Sequence, residues 1–369
     1  MLLFVIYYTV IQNTSIFLLG KKRLRNMALF FVYRYSIMEN KFCAEYIWIG
    51  GENELRSKTR VFTNFNKDDG FPDWDYDGSS TKQADGNNSE VILRPCAVFA
   101  DPFRRENDVL VLCSTYRPDG EPLPNNHRHH AKHAFDQKPD EHPWFGLEQE
   151  YFMYNNRSRY PLGFDENGKQ GQYYCSVGAN NAFGREIVEE HLAACLAAGL
   201  NISGVNAEVA PGQWEFQIGI CEGIEAGDHL WLARYLLDRI SEKHGVYINY
   251  HPKPLIGDWN GSGCHTNFST QKMREYGGIN EIYKAIELLG DKHAEHMEVY
   301  GEFNKLRLTG KHETASYTVF THGKADRGAS IRIGNKTIND GFGYFEDRRP
   351  SSNMDPYLVT AKIFQTTCL

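Results

Sequence analysis

Neither a Gly-x-x-x-x-Gly-Lys-Ser/Thr segment nor a Gly-x-Gly-x-x-Gly fingerprint occurs in the 369 residues, so no P-loop or dinucleotide-binding turn explains nucleotide binding. Positive charge is not in excess: 40 Lys and Arg stand against 47 Asp and Glu, a net charge of -7 that gives no reason to expect a nucleic-acid partner. The 8 cysteines are scattered without a Cys-x-x-Cys pair. That spacing indicates neither a zinc knuckle nor a small disulfide scaffold, and reduced cytoplasmic thiols are expected. No period of roughly 20 to 50 residues repeats, which excludes a solenoid. What remains is ordinary globular composition, 41% hydrophobic and 24% charged, over a length that suggests about two or three domains.

Residues 1–41 read as an atypical extension. Residues 2–11 are apolar, Gln12-Asn13-Thr14-Ser15 interrupts them, 16–19 resume, and Lys21-Lys22-Arg23-Leu24-Arg25 follows. A signal peptide carries its positive charge before the apolar run, and a spanning helix needs about 20 apolar residues. Membrane contact is therefore expected only if residues 1–19 act as an anchor, and Met27 and Met38 are plausible later starts.

Residues 42–122 are expected to form a small β-rich domain. Residues 44–49 and 55–62 read as strands around Gly50-Gly51, and 91–93, 97–99 and 109–114 complete a sheet. Residues 71–81 form a loop dense in acids and aromatics, and 118–124 read as a linker. Residues 123–369 form the larger unit. In it, residues 127–133 interleave His with Arg and Lys, which reads as an exposed helix start rather than a metal site. Residues 184–199 form a helix with an apolar stripe of Ile187, Val188, Leu192, Cys195 and Leu196. A second helix runs over 225–244 and a third over 279–297, and 205–218 fold as a hairpin about Pro211-Gly212.

The chemistry gathers around Phe145-Gly146-Leu147-Glu148-Gln149-Glu150-Tyr151-Phe152, a strand on which Glu148 and Glu150 share one face. Two such acids suit either a solvent-facing strand edge or a site that supplies positive charge between them. The hairpin adds Glu208 and Glu215, the glycine-rich Gly261-Ser262-Gly263-Cys264-His265 turn adds an imidazole, and Glu346 stands two residues before Arg348. Carboxylates with one imidazole suit hard divalent cations such as Mg²⁺ or Mn²⁺, two or more per site. Arg307, Arg327, Arg332 and Arg348 supply the cations that a phosphoryl group needs. Together these shift the expectation toward ATP-dependent chemistry.

At this point the chain resembles the eukaryotic-type glutamine synthetases. The matching motifs are Trp74-Asp75-Tyr76-Asp77-Gly78-Ser79-Ser80-Thr81, the 145–152 strand, Asn206-Ala207-Glu208 with Gln213-Trp214-Glu215-Phe216, and residues 260–269, 307–314 and 344–350, in order from about Tyr46 to Cys368. The resemblance implies an α+β fold, a small β-grasp-like N-terminal domain followed by a catalytic domain with a curved antiparallel sheet. It implies ATP-dependent ligation of ammonia to L-glutamate through γ-glutamyl phosphate. Glu148, His265 and Glu346 would hold the metal nearer the nucleotide, and Glu150, Glu208 and Glu215 the metal nearer glutamate. ATP would meet Trp144, Glu148, Asn267, Ser269, Arg327, Arg332 and Tyr344. Glutamate would meet Asn260, Gly261, His265, Arg307 and Arg348. Asp77 would be the base for ammonium, Glu313 the acid of a closing flap, and Arg348 would face the developing phosphoryl charge. A cytoplasmic homo-oligomer is implied, a decamer of two stacked pentamers with active sites between subunits.

The chain departs from the family pattern in its first residues, at Asp326 beside Arg327, at Ile333-Gly334-Asn335, and in stopping at Leu369 soon after the last matched helix. Two other readings stay open here: a ring-forming scaffold without catalysis, and a γ-glutamyl ligase for a bulkier amine.

Overall fold

A computed structural model describes residues 41–155 and 157–369. The expected extension over 1–41 lies outside these residues except for Lys41, which already belongs to the first strand.

Five strands form the first sheet: β1 (Lys41–Ile49), β2 (Leu55–Thr63), β3 (Trp74–Asp77), β4 (Glu90–Ala100) and β5 (Val109–Tyr116), in the order β2-β1-β5-β4-β3 with β1 and β5 parallel. Strand alternation divides its faces. Phe42, Ala44, Tyr46 and Trp48 pack with Val109, Val111 and Cys113 in an aromatic-rich cluster, whereas Ile47, Leu110 and Leu112 join the main core. β4 is one strand where two short ones are expected. Pro95 cannot donate to a ladder, and the register shift between Pro95 and Ala97 absorbs it as a bulge.

The second sheet has eight strands. These are β6 (Trp144–Asn155), β7 (Ile202–Ala207), β8 (Gln213–Glu222), β9 (Val246–Asn249), β10 (Cys264–Ser269), β11 (His322–Lys324), β12 (Ile331–Ile333) and β13 (Phe345–Asp347). Its order is β11-β12-β13-β10-β6-β8-β7, with β9 also paired to β6 and only β11–β12 parallel. The helices are α1 (His127–Phe135), α2 (Arg185–Ala198), α3 (Glu225–His244), α4 (Gln271–Arg274), α5 (Ile279–Asp291), α6 (His293–Met297), α7 (Asn335–Asp340) and α8 (Pro356–Cys368), of which α2 and α3 pack on the sheet and α8 packs on α1, α3 and α5.

α3 is built as expected, with Leu230, Ala233, Leu237 and Ile240 buried and Gly245 in the left-handed cap. The expected 279–297 helix breaks at Lys292 into α5 and α6. In α2 the stripe is displaced: Leu196 is 60% exposed, and His191 and Ala194 take the core side with Ile187, Val188, Cys195 and Ala198. Steps of three and four residues from Ile187 reach 191, 194 and 198 but pass Leu196 by.

Buried polar anchors join the layers. Arg128 of α1 grips both oxygens of Asp228 on α3 at 2.7 Å, and Tyr357 of α8 donates to the same carboxylate at 2.6 Å. Glu45 of β1 accepts from Ser57 at 2.6 Å and from Tyr235 of α3 at 3.2 Å, tying the first sheet to the second unit.

Two buried histidines set a pH dependence. His191 Nε2 faces the Ala233 carbonyl at 2.9 Å, and burial lowers its pKa to about 4. His296 lies between Tyr300 and Thr366, and burial followed by the Arg349 charge lowers it to about 3. Both values lie below the unfolded 6.5, so the unfolded chain binds the extra protons. The stability these residues confer is present above that value and is lost as pH falls toward 4 and then 3, by about 1.4 kcal/mol per pH unit for each histidine. Denaturant midpoints measured across this window are expected to fall more gently for His191→Asn by one proton's slope; an unchanged slope would contradict this origin.

Candidate active site

Alternation and register place the polar side chains before any specific contact is considered. On β6, Leu147, Gln149 and Tyr151 point into the core, so Gly146, Glu148 and Glu150 face the other way. Residues directly opposite on neighbouring strands share that face. Glu148 is opposite His265 on β10 and Gln217 on β8, Glu150 is opposite Glu215 on β8, and Glu215 is opposite Asn206 on β7. Asn267 is opposite Glu346 on β13, which is in turn opposite Arg332 on β12. Residues from six strands thus line a cleft of about 380 Å³ on one sheet face.

Within it the acids separate into two groups, Glu148–His265–Glu346 and Glu150–Glu208–Glu215, each with donor atoms within 4.8 Å of one another. In the first, His265 Nδ1 is 3.4 Å from Glu148 Oε2 and 3.6 Å from Glu346 Oε1. Burial, then the Arg348 charge, drives the His265 pKa well below its usual value. A neutral imidazole is favoured there, and its contacts with the two carboxylates suit ligation of a cation better than ion pairing.

The second group receives only neutral donors. Glu150 Oε2 accepts from the Gly263 amide at 2.9 Å, Glu208 Oε1 from Asn206 Nδ2 at 3.0 Å, and Glu215 Oε1 from Gln217 Nε2 at 2.6 Å. Burial raises all three pKa values: Glu150 to about 7, Glu215 to about 8 and Glu208 to about 9, with mutual repulsion adding to the last two. Among the described residues none of the three is ion-paired, and crowded acids of this kind are stabilised in ionised form by a bound cation. Their oxygen donors and hydrogen-bonded second layer fit a hard divalent ion.

Four arginines surround these groups. Arg332 Nη1 and Arg348 Nη1 each reach a different oxygen of Glu346 at 2.6 Å. Arg348 also donates to the carbonyls of Arg327 at 3.1 Å and Glu313 at 3.2 Å. Arg307 is buried, and burial lowers it to about 10. Its Nη2 donates to the carbonyls of Arg348, Arg349 and Pro350 at 3.0, 2.8 and 3.0 Å, and its Nε to Asn304 at 3.2 Å, so Nη1 is its end toward the cleft. The glycine turn makes that approach possible. A Cβ on Gly261 would lie 2.3 Å from the Pro252 carbonyl oxygen and 2.6 Å from Arg307 Cγ.

Over the cleft, residues 309–316 form a tight loop closed by a Thr309–Ser316 bridge. His312 and Glu313 stand in left-handed backbone at φ 54° and 58°, an uncommon pair for residues bearing side chains. Gln170 ties this loop to the glycine turn, donating to Asn260 Oδ1 at 2.7 Å and meeting His312 Nδ1 at 3.1 Å.

Of the residues expected from sequence, the cleft brings together Glu148, Glu150, Glu208, Glu215, His265, Glu346, Asn260, Gly261, Arg307, Glu313, Arg327, Arg332 and Arg348. Asn267 stands just behind, donating to Glu148 Oε1 at 2.9 Å. Ser269, Trp144 and Tyr344 do not line the cleft. Ser269 accepts from Arg274 at 3.1 Å, and that guanidinium lies 3.8 Å over the Trp144 ring. Asp77 is elsewhere, exposed at the end of β3. Asp326 turns back on its own loop and accepts from the Gly328 amide at 2.8 Å. The cleft also contains Tyr174, Asn206, Gln217 and His312, which sequence reasoning did not assign. Asn206 and Gln217 were accessible to it, since each lies two residues from a hairpin acid and so on the same face. Tyr174 comes from a loop with no periodic signal.

The family described as glutamine synthetase, catalytic domain, matches residues 125–284. The root isozyme A of glutamine synthetase from Pisum sativum is 55% identical over 345 residues, 91% of this chain and 96% of its own. The cytosolic isozyme of glutamine synthetase from Medicago sativa is 57% identical over 337 residues, 89% of this chain and 94% of its own. The cryo-electron microscopy structure of Plasmodium falciparum glutamine synthetase superposes with a TM-score of 0.72 at 16% identity, covering 89% of this chain and 71% of that one, a likeness of fold.

Proposed function

The chain belongs to the glutamine synthetase family, and from that premise we propose how its residues divide the work of joining ammonia to L-glutamate at the expense of ATP. The reading is carried by one observation: Glu148 and Glu150, adjacent on one strand face, each enter a different three-ligand group. Glu148, His265 and Glu346 would hold a divalent cation nearer the nucleotide, and Glu150, Glu208 and Glu215 one nearer glutamate. Mg²⁺ or Mn²⁺ bound there would neutralise phosphate oxygens and align the transferred group.

The chain's own residues do the rest. Arg327 and Arg332 bind ATP phosphates, Trp144 and Tyr344 flank the nucleotide, and Asn267 and Ser269 support it. Asn260, Gly261 and the cleft-facing end of Arg307 position glutamate. Its γ-carboxylate oxygen attacks the γ-phosphorus, ADP departs, and Arg348 stabilises the charge on the transferred group. Ammonia then attacks the γ-carbonyl carbon of the acyl phosphate, its extra proton passes to a base, and inorganic phosphate leaves as glutamine forms. The loop bearing Glu313 excludes water that would hydrolyse the mixed anhydride.

Residues 42–122 and 123–369 are proposed as the two domains, a division supported by β1 to β5 forming a sheet of their own. We place the protein in the cytoplasm; no helix among the described residues is long and apolar enough to cross a membrane. We further propose a homo-oligomer of stacked rings, a decamer, in which Asp77 serves a neighbouring subunit's cleft. Its full exposure away from its own cleft supports this.

Purified protein given ATP, Mg²⁺ and glutamate is expected to release phosphate in proportion to added ammonium, with equimolar glutamine. Release that ignores ammonium, or no turnover from an assembled oligomer, would overturn the reading.

A further inference from the structure

The two ligand groups differ in a way the reaction alone does not require. Glu150, Glu208 and Glu215 meet only amide donors, whereas both oxygens of Glu346 are already held by guanidinium groups: Oε2 by Arg332 and Oε1 by Arg348, each at 2.6 Å. Glu346 is 3% exposed and Arg348 is buried with it, whereas the Arg332 side chain stays partly exposed. Arg348 is anchored independently, to the carbonyls of Arg327 and Glu313. Arg332 is not: its Nε is buried with no hydrogen-bond partner, leaving the fork half satisfied. Arg332 lines the cleft, and a guanidinium with a bond left unmade is a donor that a second anion can engage.

We propose that Arg332 is an exchangeable counter-ion of Glu346. It holds the carboxylate while cation and nucleotide are absent, and yields it to the cation when a phosphate takes the guanidinium. This rests on the assignment of Glu346 to a cation and Arg332 to phosphate, and adds competition between them. The cation displaces Arg332 from Glu346, phosphate draws Arg332 away, and each ligand therefore favours the other. By linkage the coupling is reciprocal.

Binding of Mn²⁺ without turnover tests it, with free Mn²⁺ followed by electron paramagnetic resonance in the presence and absence of a non-hydrolysable ATP analogue. In nucleotide-free protein, Arg332→Gln is expected to tighten one class of Mn²⁺ site by roughly tenfold, within the usual range of coupling between sites. Arg327→Gln is the control: Arg327 lines the same cleft and carries the same charge, but its side chain makes no contact with Glu346. It is expected to tighten binding much less. The analogue is expected to tighten Mn²⁺ binding more in wild type than in Arg332→Gln. Equal tightening in the two variants would reduce the effect to long-range charge and overturn the exchange, as would unchanged or weaker binding in Arg332→Gln. Should that variant fail to assemble, Arg332→Lys is compared with wild type in the same way, since it keeps the charge and loses the fork. Glu346→Gln separates the premise from the inference: Mn²⁺ sites of undiminished number and affinity in that variant would show that Glu346 is no ligand at all, and both would fall.

Discussion

Glu148→Ala is expected to lower glutamine formation by roughly 10³-fold or more while leaving the cation-free protein as stable as wild type or more so. The two halves of this result have one cause. Glu148 is only partly buried and forms no ion pair with lysine or arginine among the described residues. It accepts from Asn267 Nδ2 at 2.9 Å, and the same amide still reaches the Gly146 carbonyl at 3.4 Å when the carboxylate is gone. Little packing is lost. What disappears is an anion whose charge helps to raise the pKa of both Glu150 and Glu215. Removing one like charge from such a group relieves repulsion in the empty site, as expected where a site is arranged for function at the expense of stability. With substrates present, however, the first ligand group loses one of its three donors and the strand-face fork loses a branch. Steady-state rates with thermal midpoints in chelator check both halves. A rate within tenfold of wild type would refute the assigned role, and a large fall in midpoint would place Glu148 in the scaffold instead.

That fork was legible because it is local. Period-2 geometry on one strand relates Glu148 to Glu150, and the same rule within one hairpin relates Glu208 to Glu215. The rest of the cleft depends on which strands lie side by side, and sequence spacing holds no record of that. His265 comes opposite Glu148 only because β10 pairs with β6, and Arg332 comes opposite Glu346 through strands of three residues, too short to show a period. For these residues the residue type and then the family resemblance, not the periodicity, supplied the expectation. The buried partners behind the sheet lay within a matched motif but had no role assigned to them. Asp347 and Arg349 pair at 2.6 Å within the core, beneath Glu346 and Arg348, yet the run Glu346-Asp347-Arg348-Arg349 reads as uniformly polar. Only the alternation of β13 decides which pair serves the cleft and which the core. The misplaced Leu196 of α2 has a related origin: a leucine was expected inside, but the helix face is set by the whole stripe, and His191 fits it.

Mixing two inactive variants is expected to restore activity. Asp77→Ala and Glu148→Ala, each inactive as a pure oligomer, should regain turnover when co-expressed or dissociated and reassembled together. Asp77 ends the edge strand β3, is fully exposed, and lines no part of the cleft in its own chain. Its carboxylate is nevertheless held in place. Ser80 Oγ donates at 2.6 Å, Ser79 Oγ at 2.7 Å and the Ser79 amide at 3.1 Å, and these bonds, the Ser80 hydroxyl first, bring its pKa down to about 2. An acid so firmly ionised is first an anion that draws ammonium in, and it accepts a proton only as the nitrogen commits to attack. Such a group is of no use to the cleft of its own chain and can serve only a neighbour's, as a head-to-tail ring arranges. In an equal, random mixture each site needs its acids from an Asp77→Ala chain and its Asp77 from a Glu148→Ala chain, so about a quarter of the sites are whole. If each site were built within one chain, every subunit of the mixture would still carry a lesion, and the hybrids would be as inactive as their parents. Recovery near a quarter of the wild-type rate, absent when the two proteins are mixed without reassembly, therefore places Asp77 in the neighbour's reaction, and no recovery after verified co-assembly removes it from there.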